Sequence, residues 1–174
     1  MVTAALIALL AQALPCSPVS DASTIQECVR EQDGVYRVER AALKQLAFAR
    51  GLAVVWVDGH FLYVDRQGAT AVVLPYDNGP DPFVQGLART LRAGRVGFVD
   101  RKLREVVAPA WDFAEPFADG LAAVCTGCRS VPDGEHRRIE GGLWGYVDRK
   151  GRSALAATHR REDLPTAKEL RRRR

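Results

Sequence analysis

Asp65, Asp100 and Asp148 each stand third in a Tyr/Phe-Val-Asp-Arg tetrad, and recurring carboxylates invite a reading as an acid–base pair. Such a pair needs two acids tuned differently at one place. Three identical Asp-Arg dipeptides point instead to a local task, since an aspartate at a turn accepts hydrogen bonds from nearby backbone N–H groups. Cys125 and Cys128 form a second candidate, with His136 further on. Three chemistries fit them: a structural disulfide, a redox-active dithiol, and a metal site. The metal set is one ligand short unless His159, Glu135 or Asp133 joins. A dithiol lacks a helix N-terminus to lower its pKa, because the motif follows a strand. The structural disulfide is the expectation. No Ser-His-Asp spacing, phosphate-cradling loop or GxGxxG occurs, and no cofactor is implied.

The compartment bears on the cysteines. Residues 3–14 are apolar over a length too short to span a bilayer but suited to a signal-peptide core, and Ala11-Gln12-Ala13 offers a small-x-small cleavage site. Residues 1–13 are therefore read as a signal peptide and the protein as periplasmic or secreted. A lipid anchor at Cys16 is excluded by Pro15, which stands where a small residue is required. Cys16, Cys28, Cys125 and Cys128 all survive cleavage after Ala13, and an even number in an exported chain suggests pairing. Three connectivities are open; proximity favours Cys16–Cys28 and Cys125–Cys128. Closing the short first loop is worth roughly 3 kcal/mol in the chain-entropy picture.

Charge is concentrated at one end. The 174 residues carry 25 Lys+Arg against 21 Asp+Glu, a formal net charge of +4. From Arg160 onward seven basic and three acidic residues leave 18 of each sign in the remainder. A neutral body presents no basic face for nucleic acid. Residues 159–174 read as a basic, solvated and disordered tail. No segment after the signal is apolar enough to cross a membrane, so no stable span is expected, and the chain reads as a monomer.

The elements that must position these residues recur. Gly-Leu-Ala begins at Gly51, Gly86 and Gly120, with steps of 35 and 34 residues. The tetrads begin at Tyr63, Phe98 and Tyr146, with steps of 35 and 48. A fixed period in the thirties marks a repeat architecture. Residues 52–57 are rich in β-branched and aromatic types, Asp58-Gly59 supplies a two-residue hairpin turn, and 60–64 return as the partner strand. Residues 69–74 make a third strand closed by Pro75, and a proline-rich connector leads through Phe83 to the next Gly-Leu-Ala. In the second copy 87–91, 96–100 and 105–108 play these parts. Ahead of them, 35–38 read as a strand and 39–45 as a short N-terminal helix.

A lone meander cannot bury its apolar face, so successive units must stack, giving a mainly β domain over 14–158. Trp56, Trp111 and Trp144 are read as packing residues rather than a ligand cage. The insertion behind the step of 48, residues 125–138, is expected as a loop on one face.

These residues resemble the WG-repeat family, named for the pair that stands here as Trp144-Gly145 ahead of Tyr146 and Asp148. Its units read approximately G-x-W-G-Y-I-D-x-x-G, an apolar strand, Pro, Tyr-Asp, and F-x-x-G-L-A, a pattern covering about 48–156. The first copy departs with Phe61-Leu62 and the second with Val96-Gly97 at the Trp-Gly position. The resemblance implies a repetitive all-β protein, often exported, and carries no catalytic residues to this chain. The expected function is a non-catalytic binding or interaction module with a protein or cell-envelope partner. The competing expectation is a thiol-dependent enzyme or metal-binding protein using Cys125 and Cys128.

Overall fold

The structure, a computed structural model, describes residues 13–21 and 23–172. The expected signal segment lies outside these but for Ala13. The chain opens with β1 (Leu14–Pro18), β2 (Ile25–Gln32) and β3 (Val35–Val38), then a single helical turn, α1 (Arg40–Leu43). The helix expected over 39–45 is thus one turn, and it is not N-terminal: three strands precede it. With four residues it cannot hold itself by propensity; Ala42 is buried and fastens it to the core.

The alternation from 52 onward folds into β4 (Leu52–Val57), β5 (His60–Asp65) and β6 (Thr70–Val73), antiparallel throughout. A two-stranded ribbon follows, β7 (Pro75–Tyr76) and β8 (Gly79–Pro80). Next come β9 (Leu87–Arg92), β10 (Arg95–Asp100) and β11 (Glu105–Trp111), again an antiparallel series. Short β12 (Phe113–Ala114) leads to β13 (Leu121–Asp133), β14 (His136–Asp148) and β15 (Ser153–His159). A 3-10 turn (Arg161–Asp163) and α2 (Ala167–Arg172) complete the described chain.

The molecule is mainly β, and its larger sheet curls. Nine strands run in the order β11-β10-β9-β6-β5-β4-β1-β2-β3, beside a four-stranded sheet β12-β13-β14-β15. The end strand β3 returns to β6 through an Arg37–Ala69 bridge, with the Val38 N–H donating to the Gly68 carbonyl at 3.0 Å. Six strands thereby enclose Cys16, Cys28, Val29, Val55, Leu62 and Val64 as one core. A second core gathers Phe98, Phe117, Ala122, Val124 and Val147 between the two sheets.

Two expectations are corrected here. The insertion at 125–138 is not a loop: it lengthens β13 and β14 into a hairpin paired through Asp133–His136, forming an arm beyond the four-stranded sheet. Two successive strands can extend by simply continuing their ladder, which satisfies each inserted N–H and C=O. Nor is the basic stretch from 159 a solvated tail over its described part. Leu164, Ala167 and Leu170 pack against Trp144, Tyr146 and Leu121, and the Arg171 guanidinium donates to the Asp119 carbonyl at 2.9 Å. Three apolar positions three residues apart form a stripe on the folded-back segment, and its burial outweighs the ordering of a short end.

Candidate functional site

The three aspartates sit in turns of one construction. The Asp65 Oδ1 accepts the N–H groups of Gln67 and Ala69, both at 2.9 Å. The Asp100 Oδ1 accepts those of Lys102 at 2.8 Å and Arg104 at 3.0 Å, and the Asp148 Oδ1 those of Lys150 at 2.9 Å and Arg152 at 3.0 Å. Arg104 and Arg152 also fold back to donate from Nε to the second carboxylate oxygen of Asp100 and Asp148, each at 2.8 Å. At Asp148 the Arg152 side chain is the leading reason the carboxyl is held below its ordinary value. At Asp100 burial pulls upward, and hydrogen bonds from Arg104 and Lys102 outweigh it, leaving a lowered value. Asp100 and Asp148 are thus kept ionised, and all three carboxylates are engaged by donors of their own turns, the reverse of what a general acid needs.

Gly51, Gly86 and Gly120 likewise occupy one kind of turn. Arg50-Gly51, Gln85-Gly86 and Asp119-Gly120 are pairs with positive φ at both positions, the geometry that joins twisted antiparallel strands with two residues. The three sites lie at the starts of β4, β9 and β13. The tetrad aromatics face inward. Tyr63 packs on Phe83 with ring centroids 4.9 Å apart, and Phe98 on Phe117 at 4.7 Å. Tyr146 is buried beside Leu164 and Ala167. Arg66 lies over the Phe48 ring at 4.7 Å and Arg101 over Phe83 at 4.5 Å.

Gly145 has a specific steric duty. A Cβ there would lie within 3 Å of backbone atoms of Leu155, Ala156 and Ala157, and one on Gly97 would meet Val107, Ala108 and Pro109 in the same way. Both contacts arise where the following strand bulges: between flanking register pairs Gly145 alone faces three residues of β15, and Gly97 alone faces three of β11. Leu62 occupies the corresponding place in β5, and there β6 pairs without a bulge. Trp144 is 1% exposed, donates from Nε1 to the Gly141 carbonyl at 3.0 Å, and carries Arg161 over its ring at 4.7 Å. Trp111 is half-buried. Trp56 is not a core residue: it is 41% exposed and rests edge-on against Phe61.

The cysteine pairs lie at disulfide distance, Cys16–Cys28 with Cα atoms 5.5 Å apart and Cys125–Cys128 with Cα atoms 6.1 Å apart. Cys16 and Cys28 are buried in the first core. Cys125 is buried opposite Trp144, and Cys128 is half-buried opposite Gly141, where the arm leaves the sheet. Gly142 has no room for a side chain, since a Cβ there would strike Cys125 and Cys128. Among the described residues, no group of three or more His, Cys, Asp or Glu side chains is placed to hold a metal ion. No helix among them is long and apolar enough to cross a membrane.

One constellation has no signal in the sequence. Asp81 and Arg89 are 1% and 6% exposed, the buried charged side chains among the described residues. Arg89 donates from Nε to the Asp81 Oδ1 at 3.0 Å and from Nη1 to the Ala114 carbonyl at 3.1 Å. The Asp81 carbonyl accepts the Tyr63 hydroxyl at 2.9 Å. The connector, β5, β9 and β12 are thus tied at one point. With every polar atom satisfied, the pair has the character of a structural fastening rather than a reactive centre.

A family model described as the WG-containing repeat matches residues 97–127. No curated protein and no solved structure matches the chain. The match runs from Gly97, beneath its bulge, through the tetrad residues Phe98 and Asp100 to the Gly-Leu-Ala turn at Gly120 and on into β13. The chain carries a WG-containing repeat, the family that its recurring motifs resemble.

Proposed function

We propose that the chain is an exported, non-catalytic WG-repeat protein acting as a binding or interaction module, with a protein or cell-envelope partner. In this reading β4–β6, β9–β11 and β13–β15 are three copies of one meander. Phe83 and Phe117 dock each copy's successor onto the tetrad aromatic, and α2 takes that place on Tyr146 as a terminal cap. The observation that carries the reading is the commitment of Asp65, Asp100 and Asp148. Each repeated carboxylate is engaged by backbone donors of its own turn, so the repeated polar residues serve the scaffold and leave none for a reaction. Solenoid-like arrays of this kind present continuous surfaces for partners. The protein acts as a monomer, binds no nucleic acid through its body, and requires no cofactor.

A second reading, a thiol-disulfide or metal-binding protein, draws on the unequal burial of Cys125 and Cys128, the latter only half-buried. A thiol titration of native, oxidised protein with metal analysis of the same sample separates the two. The module predicts no reactive thiol and no stoichiometric metal. A single fast-reacting thiol, or bound zinc lost on Cys128→Ser, would replace it. Intact-mass analysis from an exporting host tests export, with loss of about the first thirteen residues as the expected result.

A further inference from the structure

Arg30 and Arg37 are direct partners across β2 and β3. Like charges placed opposite one another in a two-stranded pair are unfavourable, and here a third guanidinium joins them. Arg40, the first residue of α1, lines the same surface cavity of about 670 Å³, whose floor includes Val35, Val38 and Leu43. Val35 is 62% exposed, and β3 is the end strand of its sheet. Two carboxylates also line the cavity, Asp33 and Glu39, and Glu39 is engaged by the Nε of Arg30. The Arg37 guanidinium reaches the Gln67 carbonyl only at 3.5 Å, the outer limit of a hydrogen bond, and Arg40 has no ion pair among the described residues.

Arg30, Arg37 and Arg40 against Asp33 and Glu39 leave the groove with an excess of cation, and neither Arg37 nor Arg40 is in an ion pair among the described residues. The guanidinium fork matches a carboxylate or phosphate with two parallel N–H donors. The volume falls within the range of about 300–1,000 Å³ usual for small-molecule sites. We propose that this groove binds an anion with an apolar body: a carboxylate or phosphate head held by Arg37 and Arg40, and a short alkyl or aryl group laid on Val35, Val38 and Leu43. The proposal deepens the binding-module reading by naming a ligand class. The module reading is decided separately by the thiol titration, so failure of one is distinguishable from failure of the other.

The test uses the full chain and four probes: octyl phosphate, octanoate, octanol and inorganic phosphate, measured by calorimetric titration. Saturable binding of an octyl anion, with octanol and inorganic phosphate each at least tenfold weaker, supports the site. The Arg37→Gln/Arg40→Gln double variant should lose at least tenfold, as should Val35→Asp, while Arg172→Gln, which like Val35→Asp lowers the charge by one but does so on α2, should lose less than twofold. The unliganded Arg37→Gln protein should melt no lower than the parent, because the substitution removes the repulsion with Arg30. Equal binding of octanol or of inorganic phosphate overturns the proposal. So does an equal loss in Arg172→Gln, failure of any probe to saturate, or a lowered melting temperature in Arg37→Gln that would make the arginine structural. Flotation with phosphatidylglycerol vesicles then distinguishes a bilayer headgroup from a soluble amphiphile as the source of the anion. Flotation lost in the double variant assigns the bilayer, and no flotation alongside octyl phosphate binding assigns the soluble ligand.

Discussion

Arg89 holds Asp81 from two sides at once: its backbone N–H reaches one carboxylate oxygen at 2.7 Å while its guanidinium takes the other. Both side chains are buried, so neither can fall back on water if its partner is lost. Arg89→Met should therefore destabilise by about 3–5 kcal/mol, the usual consequence of leaving a buried charge uncompensated. Adding Asp81→Asn should recover part of that loss, a non-additivity that urea unfolding of both single variants and the double would read directly. Additive costs would mean that the pair is not the unit described.

The bulges over Gly97 and Gly145 predict an asymmetry between glycines. Gly59 has positive φ but open space around it, so Gly59→Ala should cost about 1 kcal/mol in conformational strain. Gly145→Ala needs no unusual φ, yet its methyl would enter the backbone of β15. The ladder must shift, at a cost of about 3 kcal/mol or more. Equal melting temperatures for the two variants would contradict the close approach.

Phe98 is fully buried and meets Phe117 edge-on. Phe98→Ala should lower stability by about 3–5 kcal/mol. The far-ultraviolet circular dichroism of the parent should be dominated by strand. A near-neutral substitution would place the second core elsewhere.

Acid should weaken the protein through its turns. Asp100 and Asp148 have folded-state values below their ordinary ones. The stability they contribute is complete above the unfolded value, about 3.9, and is lost as pH falls through the lowered folded values. Melting temperature should begin to drop as pH falls below about 5, and Asp148→Asn should flatten that acid limb while leaving the neutral-to-alkaline side parallel to the parent. An unchanged acid slope would show that other carboxylates dominate.

Removal of residues 160–174 tests the C-terminal cap. It exposes the Trp144 and Tyr146 surfaces covered by Leu164, Ala167 and Leu170. A loss of about 2 kcal/mol corresponds to roughly 4–8 °C in a domain of this size. A solvated tail would give no change in a thermal melt.

What the chain announces in one dimension is what short-range chemistry decides. The hairpin at Asp58-Gly59 needs only its own two residues to adopt positive φ. The turns at Asp65, Asp100 and Asp148 close with donors two and four residues on, so their type and spacing are visible in any reading of the sequence. The alternation of apolar residues in β4, β5 and β10 follows from a sheet with one face inward. The tertiary structure alone decided where those strands go. Residues 14–18, with two prolines and no alternation, become β1 because a ladder with Val55 and Trp56 on one side and pairing with β2, where Cys16 lies at disulfide distance from Cys28, on the other hold them between β2 and β4. Nothing local requires Gly145 until β15 bulges across it. Asp81 and Arg89 look like surface charges until the curl of the sheet removes water from both. A contact between distant residues depends on the path of the whole chain, and that path is settled by burial summed over many side chains, not by the residues that happen to meet.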